Sequence, residues 1–152
     1  MHPVMTHLAL LARDPAATVA FYRDYCLMNI VHERGEPGTG DHIVWLSEPG
    51  RESELILVII PGSQESIGGA HVVNHLGFAL ASRAEVDAVA AKARTEGRLV
   101  WETRQEPPPV GYFCGVSDPD GLIVEFSYGQ PLGPGSPDGW ISRDSPDPIR
   151  KP

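Results

Sequence analysis

His7 heads the run THLALLA (residues 6–12), and His75 heads NHLGFAL (residues 74–80), 68 residues further along the chain. Side chains alternate faces along a strand, so His7, Ala9 and Leu11 share one face, and His75, Gly77 and Ala79 share another. Leu8 and Leu10, and likewise Leu76, Phe78 and Leu80, fill the opposite faces. The bulky faces must meet helices, which leaves each histidine on a face with room in front of its ring. A third group stands in LIVEFSY (residues 122–128), where Glu125 shares a face with Ile123 and Ser127. A carboxylate inside an apolar strand is costly unless it pairs, stays protonated or binds a cation. Two neutral imidazoles and one carboxylate form a ligand set suited to Zn, Mn, Fe, Co or Ni. A lone strand histidine is more often a hydrogen-bonded structural residue, but the repeated placement shifts the weight toward a metal.

The elements that must position these groups are legible around them. Residues 5–12 read as a strand. Asp14 then caps a helix with Pro15 in its first turn, running to about Met28. Strands follow at 29–33, 42–47 and 54–60, separated by the turn-rich EPGTGD (36–41) and EPGR (48–51). After a polar connector (63–70), residues 71–81 read as a strand. Ser82 caps a helix to about Glu96, with Glu85 completing a capping box and Gly97 ending it. Strands at 99–103, 111–117 and 122–128 follow, with QEPPP (105–109) as a loop and DPDG (118–121) as a turn. The order is β-α-β-β-β, twice. The 68-residue offset that superposes the histidines carries Leu122–Tyr128 onto Glu54–Ile60, the last strand of the first half, so the chain reads as a tandem duplication. The fold class is α+β, with modules at about 4–62 and 71–129 forming one domain over 1–129. Residues 130–152, crowded with Pro, Gly, Ser and Asp, read as an arm or tail in which Trp140 and Ile141 offer an apolar latch.

Composition narrows the partners. A net charge of −8 with no basic block argues against nucleic acid. No apolar run approaches the roughly 20 residues of a membrane span, and the first residues lack the pattern of a secretion signal. Two cysteines without CxxC spacing, Cys26 and Cys114, fit a reducing compartment, and a cytoplasmic protein is expected.

The stretches THLAL (6–10), AFYRDY (20–25), NHLGF (74–78) and DPDGLIVEF (118–126) resemble the vicinal oxygen chelate superfamily. That group includes glyoxalase I, extradiol dioxygenases, fosfomycin-resistance proteins and bleomycin-binding proteins. The resemblance implies two βαβββ modules whose mixed sheets form a cup with helices on the outer face. It also implies a homodimer, since the cup is often completed between chains, and ligand positions that fall on His7, His75 and Glu125. Departures from the family patterns matter for the reaction. The fourth ligand of glyoxalase I would fall on Leu57, the extradiol tyrosine on Gly115, and the threonine of fosfomycin-resistance enzymes on Ala9.

The function expected is therefore a metal-dependent enzyme whose small oxygenated organic substrate chelates a divalent ion, as a dioxygenase or as a glyoxalase-like lyase or isomerase. A non-catalytic small-molecule-binding or resistance protein is the alternative. Besides its ligand role, Glu125 is a candidate base. Tyr112, Glu102 and Cys114 lie on neighbouring strands and are candidates to face the cup, with His42 a weaker one. Trp45, Trp101 and Phe113 read as core or cup lining, Arg104 as solvated, and His2, His32 and His71 as residues at strand or chain ends.

Overall fold

The computed structural model describes residues 5–63, 74–107 and 110–130. Two units emerge, one comprising residues 1–74 with the 118–122 turn, the other residues 75–117 and 123–152.

In the first unit β1 (His7–Ala12) leads through Asp14 into α1 (Pro15–Tyr25), then β2 (Asn29–Arg34), β3 (Ile43–Ser47) and β4 (Ile56–Pro61). The Asp14 carboxylate accepts a hydrogen bond from the Ala17 amide at 3.0 Å and Pro15 opens the helix, as the sequence predicts. The strands order as β1-β4-β3-β2, with β1 and β4 parallel and the remaining pairs antiparallel. Val44, Leu46, Leu57 and Ile59 are buried on the face that carries α1. Burying side chains of this size contributes roughly 1.5–3 kcal/mol each. The DPDG turn belongs to this unit. Tyr22 Oη donates to Asp118 Oδ2 at 3.2 Å, Thr18 Oγ1 to Asp120 Oδ2 at 3.1 Å, and Arg13 Nε to Asp120 Oδ1 at 3.0 Å.

The second unit repeats the plan with β5 (His75–Ala79), α2 (Arg83–Thr95), β6 (Leu99–Glu106), β7 (Gly111–Ser117) and β8 (Ile123–Tyr128), ordered β5-β8-β7-β6. The Glu85 amide donates to Ser82 Oγ at 3.2 Å, while the Glu85 carboxylate reaches back to the Ala81 amide at 2.7 Å. β6 runs into the stretch expected to be a loop, because Gln105 and Glu106 still pair with Tyr112 and Gly111. Pro107, which has no amide to donate, follows the last paired residue.

One expectation is corrected by the ladders. His7 pairs with Ile56, 49 residues on, whereas His75 pairs with Ile123, 48 residues on. The offset of 68 therefore holds for the first strands and slips by one at the last. Glu125 lies opposite Gly77 as Val58 lies opposite Ala9, so the first-module counterpart of Glu125 is Val58, and Leu57 faces α1. The fourth ligand is absent in either register, since Val58 is as apolar as Leu57.

Candidate metal centre

Glu125 sits in β8, flanked in register by Gly77 of β5 and Gly115 of β7. Only 6% of it is exposed, so its charge is held largely away from water. Two neighbours meet it. His75 Nε2 lies 3.6 Å from Oε2, and Gln130 Nε2 donates to Oε1 at 2.8 Å. Gln130 thus fixes one oxygen and leaves the other toward the imidazole. His75 and Ile123 are paired residues on the same face of the sheet, which is how a histidine at the start of β5 reaches a glutamate two residues into β8.

Trp101 completes this face. It pairs with Gly115, and its indole meets the His75 ring edge-on at 5.5 Å and the Phe113 ring at 6.2 Å. A Cβ at position 115 would stand 2.5 Å from Cε3 and 2.7 Å from Cδ2 of Trp101, so glycine alone admits the ring there. At Gly77, on the other side of Glu125, a Cβ would meet nothing within 4 Å. The Arg104 guanidinium lies 4.8 Å over Phe113, with Nε 3.3 Å from Glu106 Oε1.

His7 opens β1 in the first unit, exposed, with Nδ1 3.1 Å from Thr6 Oγ1. That contact holds the ring through Nδ1, and metal-binding histidines are commonly held through the nitrogen that is not the ligand. His75, Glu125 and Gln130 fit a divalent ion in the same sense, offering one imidazole and one carboxylate oxygen at a spacing an ion can bridge, with the carboxylate oriented by an outer partner. Among the described residues, no group of three or more His, Cys, Asp or Glu gathers closely enough to hold an ion.

The remaining candidates turn elsewhere. Tyr112 donates to Asp87 Oδ1 of α2 at 2.6 Å beneath the Arg83 guanidinium, and Glu102 pairs with Arg94 of α2 at 2.5 Å. Cys114 is fully buried with Sγ 3.8 Å from the Val86 carbonyl. All three therefore lie on the helix-bearing face, opposite Glu125. Burial first, then the charges of Asp87, Glu125 and Glu102, push the Cys114 thiol up to about 12. His42 Nε2 is 3.4 Å from Glu33 in the first unit. His32 stands within β2 against Trp45 at 4.9 Å, not at a strand end. His2, His71, Trp140 and Ile141 lie outside the described residues.

Sequence reasoning missed Gln130 and the Trp101–Gly115 seat. Strand alternation would place Gln130 on the far face, but Gly129, with φ +82°, breaks the alternation and returns the chain. A glycine directly after the strand is the available signal. Trp101 is brought opposite Gly115 by irregularities in β6, at Leu99/Trp101 and Trp101/Arg104, which periodicity does not reveal.

Two βαβββ modules of the same strand order define an α+β fold built by duplication. The chain belongs to the Glyoxalase/Bleomycin resistance protein/Dioxygenase superfamily, whose family model matches residues 4–126. An uncharacterized protein of Pseudomonas aeruginosa is 54% identical over 136 residues, covering 90% of this chain and 96% of the relative. Among solved structures, a genomically encoded fosfomycin resistance protein from Listeria monocytogenes, complexed with Mn(II) and a dihydroxypropylphosphonic acid, is similar. It shows 19% identity and a TM-score of 0.65, over 84% of this chain and 90% of that one. A lactoylglutathione lyase from Agrobacterium tumefaciens is 25% identical with a TM-score of 0.56, over 83% of this chain and 93% of that one.

Proposed function

We propose that this chain is a metal-dependent enzyme acting on a small oxygenated organic substrate, with His7, His75 and Glu125 as the protein ligands of one divalent transition ion. The observation that carries the reading is the buried Glu125 carboxylate directed at His75 Nε2 at 3.6 Å. A buried acid in that position needs a cationic partner, and the face around it is kept open by Gly77. The Mn(II) in the fosfomycin resistance protein and the activity named for the lactoylglutathione lyase support this reading. Bound by three protein ligands, such an ion supplies open positions to adjacent substrate oxygens and stabilises negative charge on them. Glu125 orients its Oε2, and Gln130 holds Oε1 in place.

Val58 at the position of a fourth ligand favours an open three-ligand site, suited to a dioxygenase or to a glyoxalase-type lyase or isomerase. In this reading residues 1–129 are the catalytic domain and the working unit is a cytoplasmic homodimer, while residues 131–152 of the expected arm or tail lie outside the described residues. No helix among the described residues is long and apolar enough to cross a membrane.

Protein stripped by a chelator and titrated with Fe(II), Mn, Co, Ni or Zn should bind one ion per chain, and His7→Ala, His75→Ala and Glu125→Gln should each weaken that binding. Failure to retain any of these ions, or a His75→Ala chain that binds as the wild type does, overturns the reading. Mixing His7→Ala with Glu125→Gln chains assigns the ligands. If the ion is shared across protomers, one of the two sites in each mixed dimer returns, about a quarter of all sites at equal mixing, and none returns if each chain supplies all three ligands. Adding catechols and then O2 to the anaerobically loaded Fe(II) form, and following O2 uptake, separates dioxygenase from lyase.

A further inference from the structure

We infer that Trp101, seated in the notch left by Gly115, is the wall against which the substrate lies. The substrate class is then one with a flat, conjugated group next to its metal-binding oxygens. The inference rests on the metal reading above and adds the shape of the ligand to it. Trp101, Gly115, Glu125 and Gly77 form one row across the sheet, each in register with the next. The indole occupies the space that a Cβ at position 115 would need, and it arrives edge-on to His75 at 5.5 Å with an interplanar angle of 78°. The carboxylate thus lies between an aromatic ring and the open space at Gly77.

Any molecule joined to an ion at His75 and Glu125 therefore has the indole as its neighbour on one side. Aromatic rings favour offset or edge-to-face partners, so a conjugated group gains there what an aliphatic group of similar size does not. Phe113 backs the indole, and Arg104 covers Phe113 while paired to Glu106. That guanidinium braces the aromatic layer, and its charge is already matched, so the recognition element is the ring rather than an anion receptor.

Acetohydroxamate and benzohydroxamate carry the same bidentate oxygen head and differ in the aliphatic or aromatic group beside it. Calorimetric titration of the metal-loaded protein should show benzohydroxamate binding about tenfold tighter. Trp101→Leu, titrated with each probe after its metal loading has been verified, should abolish that preference. Gly115→Ala, which displaces the indole without deleting it, should reduce the preference in the same direction. Equal binding of the two probes to metal-loaded wild type, or an undiminished preference in a metal-loaded Trp101→Leu protein, overturns the inference and leaves the metal reading standing. A wild-type protein that holds no ion overturns both.

Discussion

Glu125→Gln should change sign between metal-free and metal-loaded protein. Without metal, the substitution removes a charge from a site that is 6% exposed while keeping the shape of the side chain and an oxygen to accept from Gln130. The interaction it forfeits, with a His75 side chain that is 38% exposed, is worth at most about 1 kcal/mol after solvent screening. Relief of the buried charge offsets a loss of that size. In chelator, the variant's melting temperature should therefore equal the wild type's within about 3 °C, or exceed it. With metal at a hundred times the dissociation constant, wild type gains about 2.7 kcal/mol, or about 10 °C for a chain of this length. Loss of a ligand that weakens binding a hundredfold leaves the variant a gain of only about 0.4 kcal/mol. Differential scanning fluorimetry of both proteins, with chelator and with each ion, reads the four melting temperatures. A variant destabilised by the same amount in both conditions would refute the reasoning and make Glu125 a structural partner of His75 and Gln130.

Gln130→Ala removes the 2.8 Å bond to Glu125 Oε1 and should lower metal affinity about ten- to a hundredfold in competition with a chromophoric chelator; an unchanged constant would show that the bond does not orient the carboxylate. Cys114, buried and with its thiol pushed up to about 12, should resist iodoacetamide at pH 8 until denaturant is added, as mapped by peptide mass. Asp118 is raised above the usual carboxylate range, chiefly by burial, against the lowering effect of the Leu122 and Asp120 amides and the Tyr22 hydroxyl. The native state then holds this proton more tightly than the unfolded chain, so the stabilisation is complete below about pH 4 and is lost as pH rises through the folded-state value. Asp118→Asn should flatten that fall in melting temperature between pH 4 and 7, and a steeper fall in the variant would contradict the assignment.

Local chemistry made most of the elements legible. Asp14 and Pro15 announce α1, and Ser82 with Glu85 announces α2, because caps act over a few residues and need no tertiary knowledge. Alternation grouped His75 with Gly77 and Glu125 with Ile123 within their own strands for the same reason, and the β5–β8 ladder then brings the two groups onto one sheet face. What sequence could not give was the pairing of strands distant along the chain. Tyr112, Glu102 and Cys114 were separable from the Glu125 face only once β6 and β7 were set against α2, where Asp87, Arg94 and Val86 receive them. Gly115 reads in the sequence as a missing tyrosine, and only the ladder with Trp101 gives it a positive role.

The two modules share a strand order but not a chemistry, and the registers say why. Across the second sheet the row reads Trp101, Gly115, Glu125, Gly77, whereas the equivalent row of the first reads His32, Trp45, Val58, Ala9. In the second, glycine on either side puts no side chain directly beside Glu125 in the row, and His75 and Gln130 meet its oxygens. In the first, the large side chain has moved one strand inward, so Trp45 stands directly beside Val58, which is 7% exposed and apolar. A carboxylate at position 58 would be buried against an indole with no partner of the kind Gln130 and His75 supply, a cost of several kcal/mol. Introducing a fourth ligand would therefore require coordinated changes at 45 and 58. The duplicated fold thus opens each copy with a histidine but places an acid in the last strand of only one, which is why the proposed ligand set counts three residues rather than four.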